Sequence, residues 1–215
     1  MQNTVCSLRF SFLAALAIVV TSSLFAFLGA RADENLQSAV FAGGCFWCVE
    51  SDFDKLDGVE ATTSGYTGGH LPDPTYKQVS RGGTGHIESV KIDFNPAIIS
   101  YEELLHHFWR SVDPTDAGGQ FCDRGESYTT AIFATTGEQF EEAKASKRDL
   151  VEGLVLRGPI VTPILEASTF YPAEDYHQDY YKKNGIRYKY YRSRCGRDKK
   201  VLALWGDEAW AAGKH

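Results

Sequence analysis

The stretch SAVFAGGCFWCVESDFDKLDG, residues 38–58, changes periodicity partway along. Ser38-Ala39-Val40-Phe41 is a short apolar run of the kind that forms a buried strand, and it leads straight into Gly43-Gly44. A helical pattern follows as far as Leu56, with Gly58 as its stop. Cys45 thus falls at a strand-to-helix turn. Downstream, a strand signal covers 59–65, and a Gly- and Pro-rich loop runs from Tyr66 to Gly85; loops of that length in a compact domain are usually functional. From Ile87 to Phe94 the residues alternate, with Val90, Ile92 and Phe94 on one face and Ser89, Lys91 and Asp93 on the other. Glu88 shares the apolar face.

Ser100 and Glu103 form a capping box that starts a helix through Arg110, and Asp113-Pro114 ends it. An irregular stretch from Asp113 to Glu126 precedes a strand over 128–135, a helix over 137–150 and a strand over 160–166. Pro172 fits a first helical position, with Glu174 and Asp175 in the first turn and Lys182-Lys183-Asn184-Gly185 as the close. Strands and helices interleave without strict alternation. The expected fold class is therefore α+β, a mixed sheet with flanking helices.

The first 32 residues stand apart. They hold Arg9 and Arg31 and no acidic group, and Phe10 to Leu28 is almost wholly apolar. Ala30-Arg31-Ala32 supplies small residues before a cut at Asp33, so 1–32 reads as a secretory signal; an uncleaved membrane anchor is the alternative. The expected location is outside the cytoplasm, in a bacterial periplasm, with membrane contact only if the leader stays. Residues 33–215 read as one domain, with a mobile C-terminal segment from about 186.

The whole chain has 22 basic and 28 acidic residues, a formal net charge of −6, and the leader contains none of the acids. That balance argues against nucleic acid as a partner, since phosphate binding needs a basic excess. The one basic-rich stretch, Lys182 to Lys200, reads as solvated surface over packed aromatics. Five cysteines are present, Cys6 in the leader and Cys45, Cys48, Cys122 and Cys195 after it. These are too few for a disulfide scaffold, which points to a chemical role.

A thiol at a helix N-terminus faces unpaired N–H groups and the positive end of the helix dipole, both of which favour the thiolate. Cys45-Phe46-Trp47-Cys48 adds a second thiol within one turn, as in dithiol oxidoreductases; half a zinc site or two buried inert thiols would look the same. No second C-x-x-C or H-x-x-x-H completes a zinc pattern, and Val49 stands where haem attachment requires His. Cys122 reads as a packing residue, and His70, His86 and His177 as structural.

Six segments share a further likeness: GGCFWCVE at 43–50, GYTGG at 65–69, PTYKQV at 74–79, TGHIESV at 84–90, GGQFCDRGESY at 118–128 and FYPAEDYHQDYY at 170–181. In order, across nearly all of the chain after the leader, they resemble peptide methionine sulfoxide reductase A. The resemblance implies a ferredoxin-like core and reduction of methionine S-sulfoxide, protein-bound or free, with no cofactor because thiols carry both electrons. It implies Cys45 as nucleophile and Glu88 as proton donor. Phe46 and Trp47 would form the methyl pocket, Tyr76 and Tyr128 would bind the sulfoxide oxygen, and Asp123 would hold polar substrate atoms or a water. Cys195 is expected to resolve the Cys45 sulfenic acid first and Cys48 second, with thioredoxin or a thioredoxin-like protein as reductant. Alternation independently supports Glu88 as a buried, protonated carboxyl.

Overall fold

Both faces of the first strand are covered, which explains why its sequence is apolar throughout. The computed structural model describes residues 36–153 and 156–210; the leader, and with it the choice between cleavage and anchoring, lies outside them. In chain order the elements are β1 (Gln37–Gly43), α1 (Phe46–Phe53), β2 (Val59–Thr67), α2 (Tyr76–Val79), β3 (Ile87–Phe94) and α3 (Tyr101–Trp109). Then come β4 (Gly119–Gln120), β5 (Asp123–Arg124), β6 (Thr130–Ala134), α4 (Gly137–Glu152), β7 (Ile164–Glu166) and β8 (Tyr171–Pro172). The chain continues through α5 (Tyr180–Lys183), α6 (Gly185–Cys195) and α7 (Arg197–Trp205).

Ala39 and Phe41 join the main core with Val90, Ile92 and Phe94, while Val40 and Ala42 face the other way, onto Ala131 and Phe133. The Phe41 ring stacks on Phe53 at 5.4 Å and on Phe108 at 5.0 Å, seating α1 and α3 on the same side of the sheet. The predicted capping box of α3 forms: the Glu103 N–H donates to Ser100 Oγ at 3.2 Å and the Ser100 N–H to Glu103 Oε2 at 2.8 Å.

The large sheet runs β7-β6-β1-β3-β2-β8. Its inner order β6-β1-β3-β2 is antiparallel throughout, and with α1 and α3 as crossovers it is the βαββαβ, ferredoxin-like core that was expected. Parallel pairing of β6 with β7 makes the sheet mixed. β4 and β5 form a separate small hairpin.

Two expectations are corrected. The helix placed from Pro172 is a strand end followed by turns. Gln178 explains this: its side chain takes the Ser64 N–H at 2.9 Å and donates to Ser64 O at 2.9 Å and Ala173 O at 2.8 Å, acting as a substitute strand partner. Asp179 then adopts a left-handed conformation, φ 53°, which helix cannot continue through. The segment from 186, expected to be mobile, forms α6 and α7 and buries Tyr188, Arg192, Arg197, Val201 and Trp205. The basic tail is likewise not simply solvated: Arg192 Nη1 lies 2.6 Å from buried Asp52, and Arg197 Nη1 and Nη2 donate to Gly43 O and Ser111 O, both at 3.0 Å.

Candidate active site

Gly43-Gly44 turns β1 into α1, and the turn has no room for side chains. A Cβ on Gly44 would lie 2.6 Å from Gln120 Cβ, and its φ of +84° already favours glycine. This close approach brings the β4–β5 hairpin, with Cys122 and Asp123 on it, against the head of α1. Cys45 is the N-cap residue of α1, and its carbonyl accepts from the N–H groups of Cys48 at 3.0 Å and Val49 at 3.3 Å. Only 6% of Cys45 and 2% of Cys48 is exposed, and both are free thiols.

Glu88, 2% exposed, projects from β3 to the same helix end, where its Oε2 accepts the Phe46 N–H at 3.0 Å. Burial pushes its carboxyl up to about 8, with Asp123 and Cys48 adding repulsion against the single helix-end hydrogen bond. At neutral pH the group holds its proton, as the strand alternation implied. The Tyr76 and Tyr128 hydroxyls hydrogen-bond each other and face Glu88 and Cys45. The long loop thus delivers Tyr76, on α2, and the second irregular stretch delivers Asp123 and Tyr128.

The thiolate expectation for Cys45 does not hold in this state. Burial, reinforced by Cys48 and Glu88, pushes the Cys45 thiol well above the usual thiol range. The helix end is largely spent, since its first N–H already serves Glu88. Cys48 moves the other way: its hydrogen bond with Cys45 and the Arg197 and Arg192 guanidiniums draw it down despite burial.

Phe46 and Trp47 do line an aromatic chamber. The Trp47 indole stacks on Tyr180 at 3.7 Å and meets the edge of Tyr191 at 5.9 Å; its Nε1–H donates to His177 Nδ1 at 3.1 Å. The Phe46 ring lies 6.5 Å from Tyr76 and 4.9 Å from His177. Glu174 braces the chamber from behind, accepting the Tyr66 hydroxyl and the Tyr76 N–H, each at 2.9 Å.

Sequence reading missed several of these residues. Tyr180 and Tyr191 sit in a tail thick with tyrosines, and nothing local says which of them turn inward. Cys122, taken as packing, is exposed and bonded to Cys195. The even number of cysteines after the leader was the available signal. Cys195, expected to act on Cys45, instead lies with its Sγ 3.8 Å from Asp123 Oδ2, the same oxygen that accepts the Tyr191 hydroxyl. Cys48, Glu88, Phe46, Trp47, Tyr76 and Tyr128 gather around Cys45, Asp123 joins them through Tyr191, and Cys195 lies beside Asp123. Among the described residues, Cys122, Asp123 and Cys195 are the one group with metal-ligand spacing, and two of the three are committed to the disulfide.

The family model described as Peptide methionine sulfoxide reductase matches residues 37–209. Peptide methionine sulfoxide reductase MsrA 2 of Rhizobium meliloti (strain 1021) is 53% identical over 191 residues, 89% of this chain and 94% of that protein. Peptide methionine sulfoxide reductase MsrA of Bacillus subtilis (strain 168) is 51% identical over 173 residues, 80% and 98% of the two chains. The crystal structure of Mxr1 from Saccharomyces cerevisiae in reduced form is similar with a TM-score of 0.67 and 30% identity, covering 73% of this chain and 90% of that one. Match, fold and site geometry agree, and the chain belongs to the peptide methionine sulfoxide reductase family.

Proposed function

We propose that this protein reduces methionine S-sulfoxide, protein-bound or free, to methionine, with Cys45 as nucleophile and Glu88 as acid. The observation that carries the reading is a buried thiol and a protonated carboxyl at one helix end, walled by aromatic rings. The Cys45 thiolate attacks the sulfoxide sulfur while Glu88 passes its proton to the oxygen, and the Tyr76 and Tyr128 hydroxyls hydrogen-bond that oxygen as charge builds on it. Phe46 and Trp47 receive the methyl group, and Asp123 orients polar substrate atoms. Methionine leaves, and Cys45 remains as a sulfenic acid.

Cys48, already hydrogen-bonded to Cys45, attacks that sulfenic sulfur; the products are a Cys45–Cys48 disulfide and water. This reverses the order expected from the sequence, because Cys48 packs directly with Cys45 while Cys195 lies beside Asp123. Reduced Cys195 and Cys122 then pass electrons to the buried pair, and a thioredoxin or thioredoxin-like dithiol restores them from outside. From the apolar leader, Phe10 to Leu28, we infer that this cycle runs outside the cytoplasm, in a periplasm.

Separated S and R epimers of a methionine-sulfoxide peptide, incubated anaerobically with dithiothreitol, test the reading. Turnover of the S epimer alone, lost in Cys45→Ser, is the expected result. Turnover of neither epimer by folded, reduced protein rejects it.

A further inference from the structure

The resting nucleophile presents a chemical problem. Burial, Cys48 and Glu88 all hold the proton on Cys45, while attack on sulfur needs the thiolate. Tyr191, on α6, packs against Cys45, Cys48 and Trp47 in one cluster. Its hydroxyl has a single proton, which it donates to Asp123 Oδ2. The phenol oxygen therefore has lone pairs to offer the Cys45 S–H, against which the side chain packs.

From the contacts Cys45–Tyr191–Asp123 we infer that Tyr191 is a further catalytic residue, relaying the Cys45 proton to the Asp123 carboxylate as the nucleophile is generated. The inference rests on Cys45 being that nucleophile. In the step, the S–H bond breaks as a new O–H bond forms on Tyr191, and the original Tyr191 O–H bond breaks as one forms on Asp123. The products are a thiolate, a tyrosine still neutral and now donating to it, and a protonated Asp123. No electrons are transferred between molecules.

Asp123 suits the receiving end. It is half-buried, and burial raises its carboxyl, so it holds a proton more readily than a surface aspartate. Once the proton has moved, the Tyr191 hydroxyl donates to the thiolate, and that hydrogen bond opposes the upward push on Cys45. The relay therefore both removes the proton and steadies the charge left behind. α6 holds Tyr191 in place through neighbouring Arg192, which contacts Asp52 at 2.6 Å and Asp198 at 2.7 Å, and through Cys195 one turn on, beside the same Asp123 oxygen.

The other groups facing Cys45 are Cys48 on α1, Glu88 on β3, Tyr76 on α2 and Tyr128 beyond β5; Arg192 and Arg197 act on it through Cys48. Cys48 is the rival proton acceptor, and the experiment separates the two. Iodoacetamide alkylation of the reduced protein is followed against pH, with mass spectrometric mapping to Cys45, for the native chain, Tyr191→Phe, Asp123→Asn and Cys48→Ser. Alkylation needs no sulfoxide, so loss of substrate contacts at Asp123 does not enter.

Tyr191→Phe should move the Cys45 midpoint up by about one to two pH units, the worth of a hydrogen bond to a charged group. Asp123→Asn should move it the same way, and the double variant no further than either. Single-turnover reduction at neutral pH should slow in parallel. A Tyr191→Phe profile that superimposes on the native one overturns the relay, as does an upward shift of the midpoint in Cys48→Ser, which would make Cys48 the acceptor. Retention of sulfoxide turnover by Cys45→Ser would instead overturn the assignment of the nucleophile, a distinct result.

Discussion

Glu88 shows how one residue trades stability for chemistry. In the unfolded chain its carboxyl titrates in the ordinary range; in the fold burial holds it near 8. The unfolded state therefore releases the proton first as pH rises. The stability linked to this group is complete below the ordinary carboxylate range and is lost as pH climbs toward 8. Glu88→Gln removes that slope, so the variant should melt several degrees higher than native protein at pH 8, read by calorimetry. The same substitution should slow single-turnover sulfoxide reduction at pH 7 by about a hundredfold or more, a general acid's typical contribution, and abolish the fall in rate expected of the native protein above pH 8. Near-native turnover in the variant would move the acid role elsewhere. Glu88 was legible because strand alternation is a local property of 87–94. The state of Cys45 was not, because the helix-end effect read from the sequence is opposed by a depth of burial that only packing supplies.

At the scale of elements, the prominent feature is how α6 and α7 are held. Asp52, on α1, is buried beneath them, with Arg192 Nη1 at 2.6 Å and Arg197 Nε at 3.6 Å. Arg197 is 1% exposed and also donates to the carbonyls of Gly43 and Ser111, at the mouth of the β1–α1 turn and the end of α3. Removing it strips two carbonyls of their donor and leaves Asp52 more dependent on Arg192. Arg197→Ala should cost about 3 kcal/mol or more, measured by urea unfolding and little changed by salt, because the charges are shielded from solvent. A loss below about 1 kcal/mol would mean that α7 is held by Val201 and Trp205 instead. The strands β1, β3 and β6 and the helices α1, α3 and α4 were readable from apolar period, caps and glycines. The tail was not: its arginines and tyrosines look like a surface until their partners arrive from α1, more than a hundred residues earlier in the chain.

For the molecule as a whole, the cysteines form an inner pair and an outer pair. Cys45 and Cys48 are buried, while Cys122 is exposed and bonded to Cys195 across 73 residues. Burial of the inner pair predicts that a protein reductant reaches the outer pair only, whereas a small thiol diffuses inward. The double variant Cys122→Ser with Cys195→Ser should therefore keep dithiothreitol-supported turnover and lose at least about tenfold with a thioredoxin, as expected when exchange is limited by access. Equal rates with both reductants would show the reductant reaching Cys45–Cys48 directly. Closing so long a loop should also stabilise the fold by about 2–4 kcal/mol, seen as a lower urea midpoint on reduction. The sequence by itself determined the α+β class, the placing of Cys45 at a strand-to-helix turn and the inward aim of Glu88, because each follows from period, caps and glycines within one element or its neighbour; the ferredoxin-like core was implied by the family resemblance. Only the tertiary structure decided that Cys122 pairs with Cys195, that Tyr191 stands between Cys45 and Asp123, and that Cys45 rests protonated. Those outcomes depend on which distant segments meet and how much water they exclude, and neither is a property of a local stretch of chain.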